Sequence, residues 1–506
     1  MDRTEKEPDT RPLLPYAEDD FPRTTPLAGP PECTLNDACT PPPISPRDSE
    51  KNCSLRQSLD GYHHKHHEHL QEEHYVAYAR RWYILAVFSL LFVLQAAAWN
   101  TWGPIADTTE VVLRWTQADL DLCINWGPIT YVVTGFIFSY ILKVKGLRFA
   151  VLCSALLFLF GMGLRCIPVG MENIKWTANI GQVFVGVSAP ILQAAPTQLS
   201  AVWFPPHQRT TSTAIASTAG YFGLACSFLI GPNIVSDVPK NVTANNITAE
   251  SRTQHFGEIM NLLYIECGMA AVLVIAAMLY FPDKPPTPPS ISASEDRESF
   301  LSGAISLLKN VQFWIPALAY SVSTGVYAGW STQLDVIFDK SLGVKQDTVG
   351  WIGFIGNLAA VAGGLAFARL VDYLGGRMKL ILILMMIGSV GSCVWCVLLS
   401  MSYISFNLPS LYISCIIIGF FINASIPIYF EVTVEGMYPV SEGTITMLMT
   451  WLNNVCVLVF LLLPQIHGIG VVWMNWMLLG SVVICVPLLL MYKEQYKRLN
   501  LDTKDE

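Results

Sequence analysis

From residue 82 onward the chain alternates long apolar runs with short polar breaks. The runs fall at 82–102, 118–142, 147–166, 177–203, 211–235 and 260–281, then at 312–334, 349–371, 379–400, 409–432, 441–464 and 471–492. Runs of about twenty residues, rising about 1.5 Å per residue as helix, cross the roughly 30 Å hydrocarbon layer of a bilayer. Their apolar residues continue all the way round and do not alternate. Membrane-spanning helices are therefore predicted, and strands of a membrane barrel are not.

A polar, proline-rich stretch divides the runs into two sets of six. The organisation read from this pattern is a polar N-terminal tail (1–79), a six-helix bundle (80–282), a cytosolic linker (283–310), a second six-helix bundle (311–492) and a C-terminal tail (493–506). Composition strengthens the picture: 52% of the 506 residues are hydrophobic and only 14% charged, with a mean hydropathy of +0.42. Soluble proteins carry about 25% charged residues. The fold class expected is an all-α membrane protein.

Charge then gives orientation. Arg80, Arg81, Lys143, Lys145, Arg377 and Lys379 all flank one side of the runs, which the positive-inside rule makes cytosolic, with both termini there. Two N-x-T acceptors, at Asn241 and Asn246, fall on the opposite side, where glycosylation takes place. In the N-terminal tail, Asp9-Thr10-Arg11-Pro12-Leu13-Leu14 has the form of an acidic dileucine sorting signal, read by clathrin adaptor complexes on cytosolic tails. The histidines between His63 and His74 read as a solvated, low-complexity tail, with metal binding as the alternative.

The net charge of −8 comes without a basic tract interleaved with aromatics, so no nucleic-acid partner is expected. The 13 cysteines are scattered, mostly in the spans, and read as packing residues, with a bridge among Cys123, Cys166 and Cys267 left open. No nucleophile–base set, metal-ligand spacing or phosphate loop stands out, so neither an enzyme, an ATP-driven pump nor a cofactor is expected.

Candidate chemistry begins at Trp99-Asn100-Thr101-Trp102-Gly103-Pro104, where two indoles, an amide and a Gly-Pro break end the first run. A helix lining a solute path uses such groups: flat stacking faces, a polar anchor and a loosened backbone. A fainter echo holds Trp330 and Gln333 in the second half, and Gln193 and Asn454 are amides inside spans. Each amide is either interhelical glue or a solute contact. Carboxylates within spans are expensive and usually functional. Glu431 and Glu435, one turn apart on one helix face, are placed to share a proton, and Glu266 is the third proton-coupling candidate.

The loop Arg369-Leu-Val-Asp372-Tyr-Leu-Gly-Gly-Arg377-Met-Lys379 resembles the cytoplasmic loop signature of the major facilitator superfamily, in which Asp372 would pair with Arg377 or Lys379 as a gating latch. The matching loop after the second run keeps Gly146 and Arg148 but holds no acid. Further matches lie at Trp99–Ile105, Gly163-Leu164-Arg165-Cys166-Ile167-Pro168, Thr213-Ala-Ile-Ala-Ser217, Trp351-Ile-Gly-Phe354 and Tyr438-Pro-Val440. With these, residues 82–501 resemble the feline leukaemia virus subgroup C receptor-related solute carriers, family 49 of that superfamily.

The resemblance implies two six-helix bundles rocking about a central cavity, residence in the lysosomal membrane, and proton-coupled export of pyridoxine, a vitamin B6 form, to the cytosol. It places Trp99 against the solute. It also puts Tyr221 and Asn454 where choline-carrying relatives have glutamines, which leaves choline and haem as alternatives. A non-transporting membrane receptor or scaffold is the second reading from another class.

Overall fold

The computed structural model describes residues 76–503, apart from 240–241, 296, 343, 345, 375 and 464–469. Asp9, Leu13, Leu14, the histidine-rich stretch and Asn241 lie outside the described residues. Helices make up all the regular structure described. The first bundle holds α1 (Arg81–Trp99), the short α2 (Ala106–Leu113), α3 (Gln117–Arg165), α4 (Ile174–Ala194), α5 (Pro196–Trp203), α6 (Arg209–Ile234) and α7 (Ala249–Leu279). The connector carries α8 (Ile291–Ser294) and α9 (Phe300–Lys309). The second bundle holds α10 (Val311–Ser331), α11 (Leu334–Leu342), α12 (Gln346–Leu374), α13 (Met378–Ser400), α14 (Leu408–Ala424), α15 (Ile426–Met437), α16 (Glu442–Leu462) and α17 (Val472–Met491), followed by α18 (Lys497–Asp502).

Nine spans among the described residues, one of them α14 and α15 taken together, are long and apolar enough to cross a membrane, ten with the α4–α5 pair, which bends by 41°. The 49-residue α3 is two spans in one. A straight helix of that length would run roughly 74 Å, far beyond a bilayer. It folds at Gly146, whose φ of +84° lies in the region that glycine alone enters freely. With its two arms counted separately and α10 added, the described helices make the twelve expected spans.

Between the bundles, α6 packs on α12 and α15, and α3 packs on α16. Small residues set the close approaches within them: Gly223 of α6 lies against the Val93 backbone of α1, where a Cβ would have no room. One helix starts well before its expected place. α7 begins at Ala249, not at 260, because Thr248 caps it by accepting from Ser251 N and carries it beyond the apolar run.

Two loop readings change. The loop at Gly146 does have an acid, supplied from after α7: Asp283 accepts from Arg148 N at 2.9 Å. Glu494, following α17, does the same for Lys379 N at 2.8 Å. Each carboxylate sits at a helix N-terminus, where the exposed amides favour an anion. The stretch from 493, expected as a tail, instead folds back as α18, with Arg498 1% exposed. The described cysteines are free thiols. Among them are Cys393 and Cys396, a C-x-x-C spacing inside α13 that the sequence reading passed over.

Candidate functional site

The face carrying Arg81, Asp372 and Arg498 is called the terminal face, and the other the distal face. Between the bundles lies a cavity of about 190 Å³. Its lining runs from Phe430 and Thr450, nearer the terminal face, to Ile124, Thr332 and Leu461 at the distal ends of their helices. The remaining polar lining is Gln95, Gln193, Ser217, Tyr221, Tyr320, Asn453 and Asn454, with the Trp99 indole among them. No ionisable Asp, Glu, Lys, Arg or His stands in the lining.

Trp99 is held by a defect in the neighbouring helix. Pro128 in α3 has no N–H, so the Ile124 carbonyl loses its helical partner. The Trp99 indole N–H donates to that carbonyl at 2.9 Å, and the ring lies over Gly127, whose lack of a side chain admits it. Asn453 is fixed by donating to Thr324 Oγ1 at 2.6 Å, and Asn454 by donating to the Thr450 carbonyl at 2.8 Å.

Of the residues expected at the solute site, Trp99, Gln193, Tyr221 and Asn454 line the cavity. Four others do not, and three of them have a different task. Asn100 donates to Ser227 Oγ at 2.9 Å and fixes α1 to α6. Trp102 is fully buried on Trp115, with ring centroids 4.9 Å apart. Trp330 is buried and donates to Asn475 Oδ1 at 2.7 Å, and Gln333 lies beyond the end of α10. Gln95, Tyr320 and Asn453 were missed. Gln95 was legible, being an amide inside the first run and a turn before Trp99.

Below the cavity the terminal face is shut by charged groups from four separate segments. Arg498 of α18 places Nη2 2.7 Å from both Glu431 Oε2 and Glu435 Oε1, and Leu499 N donates to Glu435 Oε2 at 2.9 Å. Glu442 of α16 lies 3.8 Å from the same guanidinium and pairs with Arg297 of the connector at 2.7 Å. Glu431 and Glu435 do share a face, but Arg498 lies between them. The pair therefore shares one guanidinium, and the reading of one shared proton gives way.

Burial works against the Arg498 charge, yet Glu435, Glu431 and Glu442 hold it protonated above its ordinary range. Across the bundle boundary, Thr213 of α6 donates to Glu431 Oε1 at 2.5 Å. Arg209 of α6 pairs at 2.7 Å with Asp502, which also accepts from Ser292 N.

Asp372 has the cross-bundle position of a latch but not the expected partners. It accepts from Thr210 N at 3.2 Å and from Thr211 N and Oγ1 at 2.8 and 2.5 Å, capping the N-terminus of α6. Lys379 instead donates to the Leu490 and Tyr492 carbonyls, and Arg377 is exposed. Loss of the Asp372 charge removes about 1 kcal/mol of helix-end stabilisation. Asp372→Asn should therefore shift the closed terminal face toward open by roughly fivefold. A cysteine placed at Ser217, beside the cavity floor, should then label correspondingly faster from that face. An unchanged rate would count against the latch.

The third carboxylate, Glu266 of α7, is buried on the distal side of the first bundle, paired with Arg165 of α3 at 3.4 Å. Asn246 lies in an exposed turn before α7.

Residues 87–461 match the family described as Major Facilitator Superfamily. A solute carrier family 49 member 4 homolog from Xenopus tropicalis is 37% identical over 430 residues, covering 84% of this chain and 93% of the relative. Solute carrier family 49 member A3 from Danio rerio is 30% identical, covering 77% and 79%. The choline/ethanolamine transporter FLVCR1 of Mus musculus is 26% identical, covering 72% and 66%. Among solved structures, the transporter FucP in its outward conformation superposes with a TM-score of 0.63 at 13% identity, over 81% of this chain and 99% of that one.

Proposed function

We propose that this chain, which belongs to the major facilitator superfamily and within it to solute carrier family 49, carries a small, uncharged aromatic solute, best matched by pyridoxine, across the lysosomal membrane to the cytosol. The observation that carries this reading is the cavity: aromatic faces at Trp99 and Tyr221, amides and hydroxyls around them, and no ionised group in the lining. A pyridine ring stacks on such faces, and its hydroxyls exchange hydrogen bonds with Gln193, Asn453 and Asn454. A carboxylate or phosphate would meet no countercharge there.

The coupling follows from the closed face. With the terminal face cytosolic, solute enters from the acidic lumen while the Arg498 cluster is paired. Phe430 lines the cavity and Glu431 is the next residue of α15, so a proton reaching the floor meets Glu431 first. Protonated, Glu431 no longer compensates Arg498, and the contact through Thr213 to the first bundle weakens. Glu435 follows as its partner on the same guanidinium. Asp9, Leu13 and Leu14 supply the lysosomal address through clathrin adaptors, and Asn241 and Asn246 carry luminal glycans.

The choline/ethanolamine relatives favour a second solute class, because an aromatic cavity also receives a quaternary ammonium. Thermal unfolding of the purified protein separates the two. A ligand at a hundred times its Kd stabilises the folded state by about 2.7 kcal/mol. Pyridoxine in excess should raise the midpoint by several degrees and choline should not. A shift with choline alone would transfer the assignment.

A further inference from the structure

The α1 helix ends at Trp99, and the last carbonyls of a helix have no partner within it. Asn100 N turns back to the Ala96 and Ala97 carbonyls. The next two carbonyls accept from side chains of other helices, and the Ala98 carbonyl also lies 2.9 Å from the hydroxyl of nearby Thr101. Arg165 of α3 donates to the Ala98 carbonyl at 2.9 Å, and Gln182 of α4 donates to the Trp99 carbonyl at 2.8 Å. Arg165 is fully buried, and Gln182 is buried beside it.

Beyond a contact with Met162 Sδ in its own helix at 3.5 Å, the contacts of Arg165 gather at that point. Its guanidinium lies 5.6 Å from the Trp102 ring centroid and 3.4 Å from Glu266 Oε2. Glu266 in turn accepts from the Thr101 hydroxyl at 2.8 Å, two residues past Trp99. Gly181 of α4 leaves the space through which the Arg165 stem passes, since a Cβ there would lie 2.5 Å from Arg165 Cγ. A buried cation and anion are expensive in an apolar bundle, and packing alone has no use for them. None of these groups lines the cavity, yet their contacts fall on Ala98, Trp99, Thr101 and Trp102, the stretch that carries the indole that does.

We infer that Arg165 and Gln182, with Glu266 as the anchor of Arg165, are positioning residues that set the break of α1 and so hold the Trp99 indole over the solute. This inference rests on the transport reading above for its uptake assay, and not for its second readout.

Arg165→Lys keeps a cation beside Glu266, but a single ammonium cannot span the carboxylate, the Ala98 carbonyl and the Trp102 face. In cells displaying the protein at the surface, KM for pyridoxine should rise about tenfold with the maximal rate within twofold. Gln182→Met should move KM in the same direction, and it serves if Arg165→Lys is poorly folded. In a Trp99→Ala background, where there is no indole to hold, Arg165→Lys should add nothing further. An unchanged KM, or the same tenfold loss in both backgrounds, would overturn the inference, because a merely structural residue acts independently of Trp99.

The second readout needs no solute. A cysteine replacing Ile124, the cavity-lining residue whose carbonyl accepts from the indole N–H, should label several-fold faster when Arg165→Lys is added. If wild-type protein takes up neither pyridoxine nor choline, the transport reading fails while labelling still decides this inference. Equal labelling rates would reject it.

Discussion

Replacing Arg498 by alanine should unfold or greatly destabilise the terminal face. The guanidinium is 1% exposed and is the common partner of Glu431 and Glu435, with Glu442 at 3.8 Å. Removing one member of a buried ion pair costs about 3–5 kcal/mol, because the partners remain buried without compensation. Here two carboxylates lose their main partner at once, while Glu442 retains Arg297. Stability in detergent should drop by at least that amount, and protein that survives should stand with its terminal face open. Arg498→Lys should recover part of the loss, and Glu435→Gln should cost less than Arg498→Ala because Glu431 still faces the cation. Melting followed by size-exclusion chromatography measures all three. A midpoint within two degrees of wild type for Arg498→Ala, a bound set from the expected ~2–4 °C per kcal/mol for larger domains, would show that α18 is not part of the closure.

Trp99→Ala carries the second large effect, on transport and not on stability. The indole is partly exposed to the cavity, and its one hydrogen bond goes to a carbonyl orphaned by Pro128. Removing the ring deletes stacking and burial worth about 2 kcal/mol of solute binding. That corresponds to a rise in KM of roughly thirtyfold. Trp99→Phe keeps a face and loses the N–H, and should fall between. Uptake against solute concentration, normalised to surface protein, is the measurement. Equal KM values would remove Trp99 from the site.

The spans were legible because hydropathy is a local signal, and so was the break after Trp99, where amide, glycine and proline coincide. Gln193 and Asn454 were legible as amides too expensive to leave in a span without a task. Sequence could not say which way such a residue faces. Trp102 and Trp330 have the same chemistry as Trp99, yet Trp102 lies past the end of α1 and Trp330 near the end of α10, and both are buried in packing. The terminal face shows the other limit. Asp372, Glu431 and Glu435 stood out as acids in or beside spans, but their partners lie far along the chain. Thr211 is 161 residues from Asp372, and Arg498 is 67 from Glu431. No periodicity carries pairings of that range, so neighbouring Arg377 and Lys379 were named in their place. The fold also hid the acid at Gly146, because Asp283 arrives from the far end of the bundle.

The measurement that tests the central claim most directly is uptake of labelled pyridoxine by cells in which Leu13 and Leu14 are both changed to alanine. With the proposed sorting signal removed, the protein should appear at the cell surface, where an acidified medium stands in for the lumen. The account predicts saturable pyridoxine uptake that rises in acid, collapses with a protonophore and is lost with Trp99→Ala. Surface protein with no pyridoxine uptake at any pH would contradict it.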